Sequence, residues 1–319
     1  MSYRQTTVAG FPAVALRSEE IEVVAVPAVG MKLTHLRRLR GREWLWRNPE
    51  IPLTLPRAGA SYVDTADSGG WDECFPTVAA SPMPGAPPGT PPLPDHGELW
   101  SAEWVSSLYE DPDGTTLTGA ARGGHLPYEF RRDVTVLRDR PVVRFRYHLR
   151  HLGGNPFPWI WSAHPLLNVQ PGASLELPGV HQVTVDAVHG RDDLSPGDIV
   201  SWPGAIGGDP ATWVFPEDGG WAVKLFGDRH PEPLVLTDPR DGERLEISAA
   251  PEDVPQVGVW LNLAGWAAAG RRPYYNLGLE PCIGAPDRLA DAVERWRTAQ
   301  VLESGGERRW ELTVTLPEP

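Results

Sequence analysis

Cysteine is almost missing from this chain: 319 residues hold two, Cys74 and Cys282. Two thiols build neither a disulfide framework nor a zinc cluster, and free buried thiols are the expectation for a reducing compartment. Long apolar runs are missing too. None approaches the roughly 20 residues that cross a bilayer, and the opening "MSYRQTTVAGFPAVALRSEE" lacks the basic start and apolar stretch of a secretory leader. Positive charge is scarce, with 29 Lys and Arg against 42 Asp and Glu, a net charge of -13. That balance argues against nucleic-acid or anionic-membrane partners, which need a basic face. There is no HExxH, P-loop or GxGxxG motif. His148 and His151 stand three apart on an extended run, and His181, His189 and His230 show no ligand spacing. The expectation is a cytoplasmic, globular protein with no metal and no cofactor, as monomer or homodimer.

Glycine (33), proline (35) and tryptophan (14) are plentiful instead. Glycine and proline punctuate many short elements. Between them run period-two stretches: "EIEVVAVPAV" (20–29), "MKLTHLRRL" (31–39), "YEFRRDVTVLRD" (128–139) and "PVVRFRYHLRHL" (141–152). The last two are joined by "RDRP" and predict a hairpin. Further strands are expected at "ELWSAEWVSS", "TTLTGAA", "SLELP", "HQVTVDA", "WAVKLF", "PLVLTD", "ERLEISA", "QVGVWLN" and "RWELTVTL". One helix is expected at 286–299, "PDRLADAVERWRTA", acidic early and basic late as the helix dipole prefers. A proline-rich stretch, "SPMPGAPPGTPPLPD" (81–95), cannot join a ladder and reads as a surface excursion. Many strands without βα alternation predict one all-β domain over 1–319, a large twisted antiparallel β-sandwich with one or two short helices.

Four motifs concentrate reactive groups: "GGWDECFPTV" (69–78), "PDHGELW" (94–100), "WIWSAHPLLN" (159–168) and "YYNLGLEPCIGAPDRL" (274–289). Each sets a titratable group among Gly, Pro or aromatic neighbours, which tune pKa through tight backbone and low dielectric. The first stretch is too polar for a core strand and too aromatic for an ordinary turn. Tryptophan offers sugars a flat apolar face and one N–H donor, although large core fillers explain the count equally well. The doublets Arg131/Arg132 and Arg271/Arg272 read as solvated strand-edge charges, with a phosphate grip as the alternative.

The order of the four motifs, with the opening "VGMKLTHLRRLRGREWLW" (29–46), resembles the galactose mutarotase superfamily of aldose 1-epimerases, and in particular a bacterial subgroup known as aldose epimerase-related. The resemblance covers most of the chain. It implies a β-sandwich with a sugar cleft on one sheet face, and interconversion of the α and β anomers of a free aldose. A base takes the C1 hydroxyl proton, an acid protonates the ring oxygen, and the ring opens and recloses. Carried over residue by residue, Glu280 in "LGLEPCIG" is the general base and His164 in "SAHPLLN" the general acid, near a strand end. His96 in "DHGELW" binds a ring or C1 oxygen. Trp260 and Asn262 resemble a strand beside the cleft, on one face by alternation. The plain alternatives are a turn glutamate, a satisfied core histidine and a turn histidine.

The chain departs from the family in one place. Classical members carry a substrate-binding arginine after an asparagine where "GGWDECFPTV" stands, and no such pair occurs here. Asp72 is expected to accept hydrogen bonds from sugar hydroxyls while Trp71 or Phe75 packs on the ring, and Glu73 should face the other way. The family's second-half aspartate has only a weak counterpart in Asp228. Competing functions are a hexose-6-phosphate mutarotase, a non-catalytic carbohydrate-binding protein on the same fold, and a glycosidase using Glu280 and Asp72.

Overall fold

The computed structural model describes residues 2–57, 59–208, 212–229 and 233–318; His230 lies outside them. Two large sheets of antiparallel strands make the body. The larger has eleven strands, in the order Ser2–Val8, Phe11–Arg17, Ile21–Val26, Lys32–Arg38, Trp71–Cys74, Trp161–Leu167, Tyr275–Ile283, Gln256–Leu263, Trp221–Gly227, Gln182–His189 and Ile199–Ser201. The smaller has nine, from Trp213–Val214 through Ser174–Glu176, Leu234–Thr237, Arg244–Ser248, Glu307–Thr315, Val142–His151, Tyr128–Leu137 and Gly114–Arg122 to Val105–Glu110. The hairpin expected at "RDRP" forms, with Val136 opposite Val143.

Between the sheets lies one continuous apolar cluster built from both. Parity along each strand decides which side chains enter it. Trp71, Trp161, Ala163, Leu277, Leu279, Val257 and Val259 point inward, while Asp72, His164, Glu280 and Trp260 take the opposite parity. Aromatic rings bridge the sheets: Trp71 stacks on Phe145 at 4.7 Å, and Trp161 meets Trp310 edge-on at 5.0 Å. Each such pair contributes roughly 0.5–1.5 kcal/mol beyond its area.

The central strands of the larger sheet are buried on both faces, because loops cover the outer one. That is why their polar–apolar alternation does not read as a half-exposed strand. "WDEC" is accordingly a strand, contrary to expectation, and its carboxylates are matched one by one. Glu73 points inward and takes Arg132 Nη1 at 2.7 Å, Tyr147 Oη at 3.1 Å and Trp161 Nε1 at 2.8 Å. Arg132 is therefore fully buried rather than a solvated edge charge; Arg131 is the exposed member, paired with Asp133.

Three other expectations change. The first part of "ELWSAEWVSS" is a 3₁₀ turn at Leu99–Ser101, and the strand starts at Val105. The expected helix is a short α-turn, Leu289–Asp291, continued by a π-helical turn, Ala292–Trp296, and closed by Arg297 in the left-handed conformation. The N-terminal hairpin Ser2–Val8/Phe11–Arg17 has no counterpart among the expected strands. The proline-rich excursion closes at its base through a Ser81–Leu93 bridge. Leu93 then packs with Cys74, Val78, Ile160, Leu289 and Ala292 in a second, smaller core on the outer face. Cys74 and Cys282 are free and buried. Both lie opposite Ser162 on its two flanking strands, two strand spacings apart and beyond disulfide reach.

Candidate active site

The outer face of the larger sheet holds a cavity of about 220 Å³, and register builds its floor. His164 lies opposite Asp72 on one side. On the other, the pairs Ser162–Cys282 and Leu166–Gly278 bracket His164 and Glu280. Glu280 in turn faces Gly258. Asp72, His164 and Glu280 thus form one row across three adjacent strands. His164 sits at mid-strand, not near a strand end, and is followed by Pro165, which has no N–H to give the ladder.

Glu280 is 1% exposed. Its Oε2 takes Lys224 Nζ at 2.5 Å and Ser162 Oγ at 3.4 Å. Its Oε1 has no hydrogen-bond partner and lies 4.0 Å from His164 Nε2. A side chain at Gly278 would put its Cβ 2.7 Å from Oε1, so glycine keeps that oxygen clear. Burial opposes charge on Lys224, but Asp287, with Oδ1 at 3.5 Å, and Glu280 outweigh it and hold the ammonium above the ordinary lysine value. The Asp287 carboxyl is pushed up by burial, with Lys224 pulling partly back. Behind it Asp186 is raised to about 6 by burial and by Asp287.

Three histidines line the cavity, His96, His164 and His189, and the first two are driven apart. His164 is held well below the usual imidazole value by burial, and further by His96 and Lys224; its Nδ1 has no partner. Burial also opposes charge on His96, but Asp95, with Oδ1 3.1 Å from Nδ1, outweighs it and lifts the imidazole above its ordinary value. The rings meet edge-to-face at 5.0 Å. His96 itself has φ 58° and Gly97 φ 70°. A Cβ on Gly97 would collide with the Phe75 carbonyl group, so only glycine fits that turn. The turn thrusts His96 under Tyr62, whose ring stacks on it at 3.9 Å.

Asp72 lies behind this wall. Its Oδ2 takes Tyr62 Oη at 2.6 Å and Lys32 Nζ at 2.7 Å, so it fixes Tyr62 instead of meeting a ligand directly. Trp71 and Phe75, expected against a sugar ring, are fully buried in the inter-sheet core by parity. Trp260 lines the cavity. Asn262 shares its face but is fully buried, accepting from Gly265 and Trp266 N–H and donating to the Trp266 carbonyl. It holds in place the loop whose Trp266 lines the cavity 5.8 Å from Trp260. Of fourteen tryptophans only these two line it; the core-filler explanation accounts for most of the rest. Asp228 is half-exposed and pairs with Arg229 away from the wall.

Sequence reasoning missed Lys224, Asp287, Asp67, Tyr62 and Tyr274, all on the wall. Tyr274 and Asp287 lie inside the motif at 274–289, where nothing in the local pattern sets them apart from their neighbours. Lys224 is one more residue of an apolar strand, and Tyr62 and Asp67 belong to no motif. Of the larger surface grooves, those of about 1030 and 1100 Å³, beside the N-terminal hairpin and the proline-rich segment, gather fewer titratable groups, and those of about 620 and 470 Å³ are lined by charged side chains paired with one another, such as Arg38 with Glu20 and Arg146 with Glu311. Among the described residues no group of three or more His, Cys, Asp or Glu is arranged for a metal ion, and no helix is long and apolar enough to cross a membrane.

No family model matches the sequence, and no curated protein matches it. Solved structures do. The Slr1438 protein of Synechocystis sp. PCC 6803 superposes with a TM-score of 0.70 at 15% identity, covering 100% of this chain and 99% of that one. A galactose mutarotase related enzyme of Lactobacillus acidophilus gives 0.66 at 15%, covering 96% and 97%. A galactose mutarotase-like protein of Clostridium acetobutylicum gives 0.66 at 9%, covering 100% and 99%. Over its whole length, then, this chain has the galactose mutarotase-like β-sandwich fold.

Proposed function

We propose that the protein is an aldose 1-epimerase acting on a single free sugar ring, with Glu280 as general base and His164 as proton donor to the ring oxygen. The observation that carries the reading is the orphaned Glu280 Oε1, buried, facing His164 Nε2 at 4.0 Å across one cavity. Lys224 holds the other carboxylate oxygen, so Oε1 is free to accept the C1 hydroxyl proton. As C1–O5 breaks, the imidazole N–H of His164 passes its proton to O5. The aldehyde carbon rotates, and closure returns both protons. A neutral imidazole enters this step uncharged; giving its proton to O5 leaves an imidazolate, while Glu280 is neutralised by the C1 hydroxyl proton, and ring closure reverses both transfers. His96, held by Asp95 and Tyr62, meets a ring or C1 oxygen.

A phosphorylated substrate fits less well, since no arginine stands among the described wall residues. The glycosidase alternative needs Asp72 at the substrate, and Asp72 is screened by Tyr62. The test is polarimetry or NMR exchange on anomerically pure hexoses and pentoses, free and 6-phosphorylated. Accelerated anomer exchange of a free sugar is expected; binding without exchange would make the protein a carbohydrate-binding module on this fold.

A further inference from the structure

Among the described residues, each carboxylate on the cavity wall contacts a lysine or histidine side chain except one. Glu280 and Asp287 share Lys224, and Asp95 faces His96. Asp67 stands on the same wall with no ion pair. It is 5% exposed. Its carboxylate has two long contacts, Gly69 N–H to Oδ1 and Tyr274 Oη to Oδ2, both 3.4 Å. The Lys32 ammonium is engaged elsewhere, by Asp72 at 2.7 Å and the Gly69 carbonyl at 2.8 Å. A buried carboxylate accepts several strong hydrogen bonds when satisfied, and leaving that capacity unused is costly. Aromatic rings frame it: Tyr62, Trp266 and Tyr274 line the same cavity, and Tyr274 is clamped by stacking on Trp46 at 4.5 Å.

We propose that Asp67 is the specificity-determining carboxylate of the cavity: it receives the N–H or O–H donors of the ligand, selecting hydroxylated or amino sugars and rejecting anionic ones. This rests on the reading of the cavity as a sugar site but not on turnover there. A ligand hydroxyl or ammonium at Asp67 adds short donors to the two long ones that the protein supplies. Burial pushes the Asp67 carboxyl above its ordinary value; in its ionised form it sets a second negative charge at low dielectric against a sugar carboxylate or phosphate, which is repulsive.

The test is calorimetric binding to wild type, Asp67→Asn and Tyr274→Phe. The probes are D-glucose, D-galactose, their 2-amino-2-deoxy counterparts and their uronic acids. Wild type should bind the neutral or amino sugars and bind the uronic acids least. A preference for the amino sugars identifies ammonium as the donor; equal or weaker binding identifies hydroxyl. Asp67→Asn should lose roughly 10–100-fold for the preferred class while the uronic acids lose nothing or gain. Tyr274→Phe, which keeps the carboxylate, should preserve the wild-type order of preference. Unfolding midpoints of the three proteins separate binding loss from misfolding. The proposal is overturned if Asp67→Asn keeps the wild-type order, if both variants weaken every probe alike, or if wild type binds none. Binding with this pattern but without anomer exchange would keep Asp67's role and reject the epimerase.

Discussion

Glu280 and Asp72 are both buried carboxylates answered by a lysine, yet only Glu280 faces the cavity with an unpartnered oxygen. Glu280→Gln keeps shape and removes the base, so kcat for anomer exchange should fall by roughly 10²–10⁴ with little change in sugar affinity. Asp72→Asn should act differently, loosening Tyr62 and raising KM more than it lowers kcat. Lys224→Met leaves the buried Glu280 carboxylate without its cation and should lower kcat for anomer exchange about 10-fold or more; an unchanged kcat would rule this out. His164 gives a pH effect of definite sign. Its folded-state value is depressed, so the unfolded chain takes up a proton near pH 6.5 that the folded one refuses. Stability should therefore fall as pH drops below about 6.5, and His164→Asn should flatten that part of a urea-unfolding pH series.

At the scale of elements, two short segments complete a site whose floor is set by the strands of His164, Glu280 and Lys224. The Trp71–Cys74 strand splits its charges by parity, and the turn after the proline-rich excursion delivers His96. The turn depends on Gly97, where the space a Cβ would need is filled by the Phe75 carbonyl group. Gly97→Ala combines a left-handed residue with a backbone clash and should cost about 2–4 kcal/mol, read from the urea midpoint. Activity should fall beyond what unfolding explains, because His96 moves with the turn. Tyr128–Leu137 was legible because part of one face meets solvent, and Ile21–Val26 and Gln256–Leu263, though largely buried, were legible because their β-branched and apolar residues run uninterrupted by paired charges. "WDEC" was not, because a strand covered on both faces shows no alternation, and its two carboxylates look like solvent-facing charge until Lys32 and Arg132 are placed beside them.

For the whole molecule, the Glu73–Arg132 pair sets two full charges in the apolar layer between the sheets, both partners fully buried. Burial pushes the Glu73 carboxyl up, even with Arg132 pulling it back, which marks a desolvation cost that pairing does not wholly offset. Glu73→Gln alone leaves Arg132 uncompensated and should destabilise by about 3–5 kcal/mol. Glu73→Leu with Arg132→Met should recover most of this loss and reach or exceed wild-type stability, with sugar binding unchanged because the pair lies on the far side of the sheet. Guanidinium unfolding of wild type and both variants checks it.

The sequence by itself determined the class of fold, through its strand periodicity and its glycine and proline spacing. The motif resemblance singled out Glu280, His164 and His96, and each stands on the cavity wall. Parity alone also separated Asp72 from Glu73. What only the tertiary structure decided is which carboxylate meets which cation: Lys224 with Glu280, Lys32 with Asp72, Arg132 with Glu73, and none with Asp67. Those pairings join residues distant in sequence, on strands whose neighbours are set by sheet order. Local pattern records a side chain's face but not the strand that will lie beside it, and charge matching in a buried site depends on that neighbour.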